Sequence, residues 1–176
     1  MLMLVDRIAH ATIANAQASG SFSAQLDASS RLDTGEGAQL VLETTVALSA
    51  ANNVRNFTYT NSDGTASRTT RNIITTASAG IDKCPYTEYL FVPLADGDKG
   101  ISTLQNTTLV SGTATGSFNV VLVKPLAYIP VGAPSVMSEK DFIVDLPPFP
   151  KLVGSACLHF YYLPLATTAA SLFGEL

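Results

Sequence analysis

The chain has 176 residues, 47% apolar and only 14% charged, with a formal net charge of −4, against about 25% charged in an ordinary soluble domain. That length suits one domain with a single sizeable core, and 35 Ser and Thr residues stand where charge is missing. The absence of a basic run excludes the footprint of a nucleic-acid binder, and two cysteines are too few for a disulfide framework and lack zinc-site spacing.

Small hydroxyl side chains suit pleated, half-exposed strands, so composition already points to β structure. Cys84 and Cys157 read as small buried hydrophobes. The opening MLMLVDRIAH has five apolar residues before Asp6 and Arg7, too short a run for a signal-peptide core. Folding in a reducing cytoplasm is therefore expected, where the sequons at Asn56 and Asn106 carry no glycan.

In chain order, DRIAHATIANAQA (6–18) is ambiguous: Ile8 and Ile13 fit neither the helical nor the strand period, and residues 1–18 are read as an extended arm preceding one β domain over 19–176. GSFSAQLDA (20–28) places Phe22, Ala24 and Leu26 on one face of a strand, and AQLVLETTVALSA (38–50) does so with Leu40, Leu42, Val46 and Leu48. VRNFTYT (54–60) and RNIITTA (71–77) flank NSDG, whose Asp-Gly supplies the positive φ of a hairpin turn. YLFVPLA (89–95), ISTLQNTTLV (101–110), SFNVVLVKPLAYI (117–129) and SACLHFYYL (155–163) complete the strands, with SGTATG (111–116) as a hairpin loop. SEKDFIVDL (138–146) is the one expected helix, led by Ser138 with Asp141 at a capping spacing and stopped at Pro147-Pro148. The pattern is all-β: an antiparallel sandwich or jelly-roll-like barrel with one short helix.

Pro-Leu-Ala recurs at Pro93, Pro125 and Pro164 without a fixed period, so it is no structural repeat. Because proline cannot donate to a sheet ladder, each copy is expected where a strand leaves its sheet.

Two stretches are nearly free of charge: 101–138 holds only Lys124, and 152–174 holds none beyond His159. Charged residues stay on wetted surface, so these stretches form central strands or face other subunits, and an obligate assembly is the favoured reading. A membrane span over 152–174 is opposed by His159, Pro164 and the strand-like alternation of ACLHFYYL.

No reactive constellation stands out. Asp96-Gly97-Asp98 mimics part of a calcium loop but lacks its closing acid, so an acidic turn is preferred. His159, two residues from Cys157, has no orienting acid nearby and reads as a core histidine, and His10 stands alone. Ser155 lacks the nucleophile-elbow glycines, and GEG (35–37) lacks phosphate-loop spacing. No catalytic, cofactor-binding or metal-binding residue is assigned, and the chain is read as non-enzymatic. Arg55, Arg68 and Arg71 are opposed only by Asp63 in the local sequence and read as a solvated strand face or a salt-bridge site for a partner.

The block from GDKGISTLQNTTLVSGTATGSFNVVLVKPLAYIP (97–130) to SEKDFIVDLPPFPKLVGSACLHFYYL (138–163) resembles small virion structural proteins of tailed bacteriophages. The shared pattern is a Gly-Asp turn, a Ser/Thr-rich strand, an apolar strand ending in Pro-Leu-Ala, an acid-led helix, Leu-Pro-x-x-Pro and a Gly-x-Ala-Cys-Leu strand. The resemblance implies a capsid decoration or cement protein on the virion surface, assembled in the host cytoplasm. It would bind the major capsid protein or other virion proteins as a homo-oligomer, a trimer being favoured, with no nucleic-acid or membrane partner and no cofactor. The rival readings are a tail, neck or baseplate adaptor and a carbohydrate-binding β-sandwich for host attachment. The last is disfavoured by the lack of Trp and by tyrosines (Tyr59, Tyr86, Tyr89, Tyr128, Tyr161 and Tyr162) that mostly lie in apolar runs.

Overall fold

The computed structural model describes residues 2–22, 26–49, 51–76, 91–129 and 154–162. The strands are β1 (Leu2–Ala14), β2 (Ser19–Ser21), β3 (Gln39–Val46), β4 (Asn53–Asn61), β5 (Arg68–Thr69), β6 (Ile73–Thr75), β7 (Ile101–Ser111), β8 (Ser117–Ile129) and β9 (Leu158–Tyr162), with one turn of helix α1 (Ser29–Leu32). They form two curled antiparallel sheets, one ordered β3-β8-β1-β9 and the other β2-β7-β4-β5, with β6 also on β4. The all-β sandwich or barrel class is thus the observed one. The helix expected at 138–146 lies outside the described residues.

The main core sits between the sheets. Leu40, Leu42, Phe118, Val120, Leu122, Ala11 and Ile13 from one meet Phe57, Tyr59, Ile101, Leu104 and Ile73 from the other. Each such large apolar side chain contributes about 1.5–3 kcal/mol when fully buried. A second cluster, Met3, Val5, Val41, Val121 and Val123 with Phe91 and Tyr161 against it, lies on the opposite face of the first sheet. β8 is therefore apolar on both faces, which accounts for its nearly uncharged run.

β1 corrects the arm reading, for it is an interior strand between β8 and β9. Its register slips at Leu4/Val5 and at Arg7/Ala9. The first slip places its extra residue, Leu126, on β8 and the second places Ile8 on β1; an inserted residue shifts the phase of the side chains beyond it, so Met3 and Val5 feed the second cluster while Ala11 and Ile13 feed the main core. A strand whose phase shifts at Ile8 shows no single period, which is why Ile8 and Ile13 matched none.

Other departures have similar causes. Val46 is 56% exposed rather than in the core, because the β3–β8 register slips between Thr44 and Val46. Residues 91–95 form no strand, although the Val92 N–H donates to Leu40 O at 2.8 Å. Pro125 lies within β8, opposite Val5 at a bulge, and not at a strand end; bulges are the other place where a missing N–H is tolerated. Among the described residues of 20–28, strand structure extends only over the end of β2 (Ser19–Ser21), with an isolated bridge from Asp27 to Thr103; Phe22 and Leu26 are buried, and Ala24 lies outside the described residues.

The hairpin at NSDG forms, with Gly64 at φ 82, but its second arm divides into β5 and β6. Between them Thr70 keeps contact, donating its N–H to Phe57 O at 2.9 Å and accepting the Phe57 N–H at 3.0 Å through its hydroxyl. Residues 112–116 are not a hairpin loop, because β7 and β8 belong to different sheets. The connection crosses the end of the sandwich with Ala114 buried, and its backbone is received by Asn53: the Ala114 N–H donates to Oδ1 at 2.8 Å, and Nδ2 donates to Ala114 O at 3.1 Å.

Candidate functional site

The arginines grouped by sequence separate in space. β4 alternates strictly, burying Asn53, Arg55, Phe57, Tyr59 and Asn61. Arg55 shares the phase of Phe57 and Tyr59, and that period is the sequence signal that marks it as internal. It is fully buried, donating to Thr107 Oγ1 at 2.9 Å, Asn15 O at 2.9 Å and Gln17 O at 2.8 Å, with its guanidinium 5.9 Å from the centroid of the Phe118 ring. Burial lowers its pKa to about 10, so it remains a cation, held by carbonyl dipoles and an aromatic face. Asn53 Nδ2 also donates to Asn15 O at 2.6 Å, and Thr75 Oγ1 donates to Asn15 Oδ1 at 2.9 Å, giving a buried polar knot at this end of the sandwich.

Arg68 and Arg71 instead meet the acidic turn at 96–98. Arg68 Nε donates to Asp98 Oδ2 at 3.0 Å, and Arg71 reaches Asp96 Oδ1 at 2.7 Å. Tyr59 Oη donates to Asp98 Oδ2 at 2.5 Å and Asn61 Nδ2 donates to Oδ1 at 2.8 Å, while the Ala95 N–H donates back to the Tyr59 hydroxyl at 2.9 Å. Burial, then Asp98, push the Tyr59 hydroxyl up to about 12. Burial alone would raise the Asp98 carboxyl, but the hydrogen bonds from Arg68, Tyr59 and Asn61 outweigh it and hold it below the usual carboxylate range. The aspartates that mimic a calcium loop thus latch this turn onto β4 and β5.

A second cluster closes across the first sheet. Glu43 on β3 accepts Arg7 Nη1 and Tyr161 Oη, each at 2.5 Å. β3 and β9 are the two edges of a four-stranded sheet and would stand about 14 Å apart if it were flat, so this contact reports the curl. Burial pushes the Glu43 carboxyl up, but the donors Arg7 and Tyr161 outweigh it and the net shift is downward. Tyr161 is raised by burial and by Glu43. Nearby, the Asp6 carboxylate, 3% exposed as a residue, accepts a fork of two 2.8 Å bonds from Arg31 Nη2 and a 2.9 Å bond from the Cys157 N–H. Arg31 Nη1 donates to Arg7 O at 3.2 Å, securing the second bulge.

Cys157 and His159 overturn their expected burial. Both are exposed, because β9 has a described neighbour on one side only, and Cys84 lies outside the described residues. His10 is also exposed. Ser155 is exposed, and Glu36 of the GEG segment bridges Gly100. Among the tyrosines, Tyr59 and Tyr161 are engaged as above, while Tyr128 is 49% exposed.

Among the described residues no group of three metal-ligating side chains converges, and no helix is long and apolar enough to cross a membrane. What the described surface presents is an exposed run, Gly154–Phe160, broken only by half-buried Ala156, with Leu158 36% and Phe160 38% exposed on one face of an edge strand. No family model, curated protein or solved structure matches the chain.

Proposed function

We propose that the chain is a non-enzymatic virion structural protein, a capsid decoration protein that binds the major capsid protein or its neighbours as a homo-oligomer. The observation that carries this reading is the exposed, uncharged edge at 154–160. Of the two uncharged stretches, 101–129 is accounted for by the central strands β7 and β8, whereas 154–160 is largely exposed and offers apolar contact area and backbone donors. The described Arg7, Arg31, Arg68 and Arg71 are turned on carboxylates of the same chain, so attachment rests on area and strand edges, and many identical weak contacts add on a particle surface. The resemblance over residues 97–163 points the same way.

The test is copy number, by quantitative mass spectrometry of purified particles carrying the protein, together with a reconstruction of their surface. Copies on the order of hundreds, with density between capsomers, are expected from a repeating lattice of contacts. A count near a single ring of subunits would move the protein to the tail or neck as an adaptor, and absence from particles would end the virion reading.

A further inference from the structure

An open sheet edge invites pairing and is usually blunted by shortness, charge, proline or cover. Three edges here are blunted. β2 has three residues; β5 and β6 have two and three, and β5 carries Arg68 with its Asp98 partner. The β3 edge is lined by the segment that donates the Val92 N–H to Leu40 O. Among the described residues nothing pairs with the outer side of β9, and Gly154–Tyr162 contains no Lys, Arg, Asp, Glu or Pro.

The ladder phase of β9 follows from one bond. The Arg7 N–H donates to Cys157 O at 2.8 Å, so that pair is hydrogen-bonded. Antiparallel pairs alternate; with Asp6 opposite Leu158, Val5 opposite His159 and Leu4 opposite Phe160, the backbone groups of His159 and Tyr161 point to β1. Those of Leu158, Phe160 and Tyr162 point away from the sheet.

From this geometry, and resting on the oligomer-forming reading above, we propose that two copies of the chain join β9 to β9 about a two-fold axis. Phe160 would face Phe160 of the partner subunit, and Leu158 would face Tyr162 of the partner subunit. The three facing pairs exchange two bonds each, about six in all, and the four-stranded sheet becomes one of about eight strands. Two features favour a second copy as occupant. An antiparallel edge rotated by a two-fold is its own complement, and an aromatic pair at the axis adds to the cross-strand contact. An edge without formal charge neither repels its copy nor steers a charged stranger. A two-fold contact builds an even-numbered assembly in place of the trimer expected from sequence.

Sedimentation velocity across the micromolar range, combined with amide hydrogen exchange, tests this on the whole chain. The expected result is a reversible dimer in which the amides of Leu158, Phe160 and Tyr162 gain protection with concentration, while those of His159 and Tyr161 are protected throughout. Phe160→Lys sets like charges opposite each other and should weaken dimerisation by about tenfold or more while the far-ultraviolet spectrum is kept. Phe160→Pro removes an outward N–H and should give a folded monomer, whereas Tyr161→Pro removes an N–H that serves β1 and should release β9. A wild-type monomer at every concentration, a dimer indifferent to Phe160→Lys, or the reverse protection pattern would overturn the proposal. The exchange pattern of the wild type decides even if a proline variant fails to fold. A dimer that does not bind particles would sink the virion reading alone, and a monomer found on particles would sink this inference alone.

Discussion

Replacing Asn53 by Ala probes the knot that holds the inter-sheet connection. The Asn53 side chain is fully buried and makes three bonds: to Asn15 O at 2.6 Å, to Ala114 O at 3.1 Å and from the Ala114 N–H at 2.8 Å. Asn15 O keeps the Arg55 bond at 2.9 Å after the change, so two buried groups, the N–H and C=O of Ala114, lose the partner that Asn53 provides. Each orphaned group costs about 1–3 kcal/mol, giving a loss of about 2–6 kcal/mol centred near 4. Against a total of about 5–15 kcal/mol for a domain, that is a large fraction. Urea unfolding should show a lower midpoint with an unchanged slope, and the Ala114 amide should exchange faster. Exposed Asn52→Ala is the control, expected within about 0.5 kcal/mol of wild type. If Asn53→Ala matched that control, the knot would not be holding the connection and the account of this end of the sandwich would be wrong.

Three further outcomes follow from the same structure. Val121→Asp places a charge between the two sheet neighbours of β8, at a site with no exposure, and should cost several kcal/mol and yield insoluble or unfolded protein; a soluble, native-like circular dichroism spectrum would refute that placement. Arg31→Met leaves the Asp6 carboxylate buried with the Cys157 N–H, and breaking such a pair costs about 3–5 kcal/mol, readable by chemical denaturation. Glu43 has its carboxyl lowered in the fold, so its contribution is present above the ordinary glutamate value of about 4.3 and is lost as pH falls through the lower folded value. Glu43→Gln should therefore be less stable than wild type at neutral pH, with the gap in melting temperature closing in acid; a constant gap would contradict the assignment.

Where turn residues bracket a long, nearly uncharged run, its ends were legible: β8 was read with its observed ends, and β7 to within one residue, although both carry register slips. β4 was legible too, yet its content was misread: Arg55 was grouped with Arg68 and Arg71 by proximity along the chain, when its phase with Phe57 and Tyr59 placed it inside. β1 was lost because the extra residue Ile8, between Arg7 and Ala9, shifts the phase partway through its thirteen residues. Charge scarcity marked 152–174 for contact, but only the register of β9 on β1 says which backbone groups are left over.

The position of β1 also sets a schedule for synthesis. Its partners β8 and β9 begin at Ser117 and Leu158, so Leu2–Val5 must wait for more than a hundred further residues before any ladder can form. At ribosomal speeds of about 5–20 residues per second, that is on the order of ten seconds of exposure for an apolar strand. The charges of Asp6 and Arg7, bound in the finished fold to Arg31 and Glu43, sit directly after that run, where gatekeeper charges restrain an unpaired strand from associating. The same two side chains thus guard the nascent chain first and fasten the sheet afterwards.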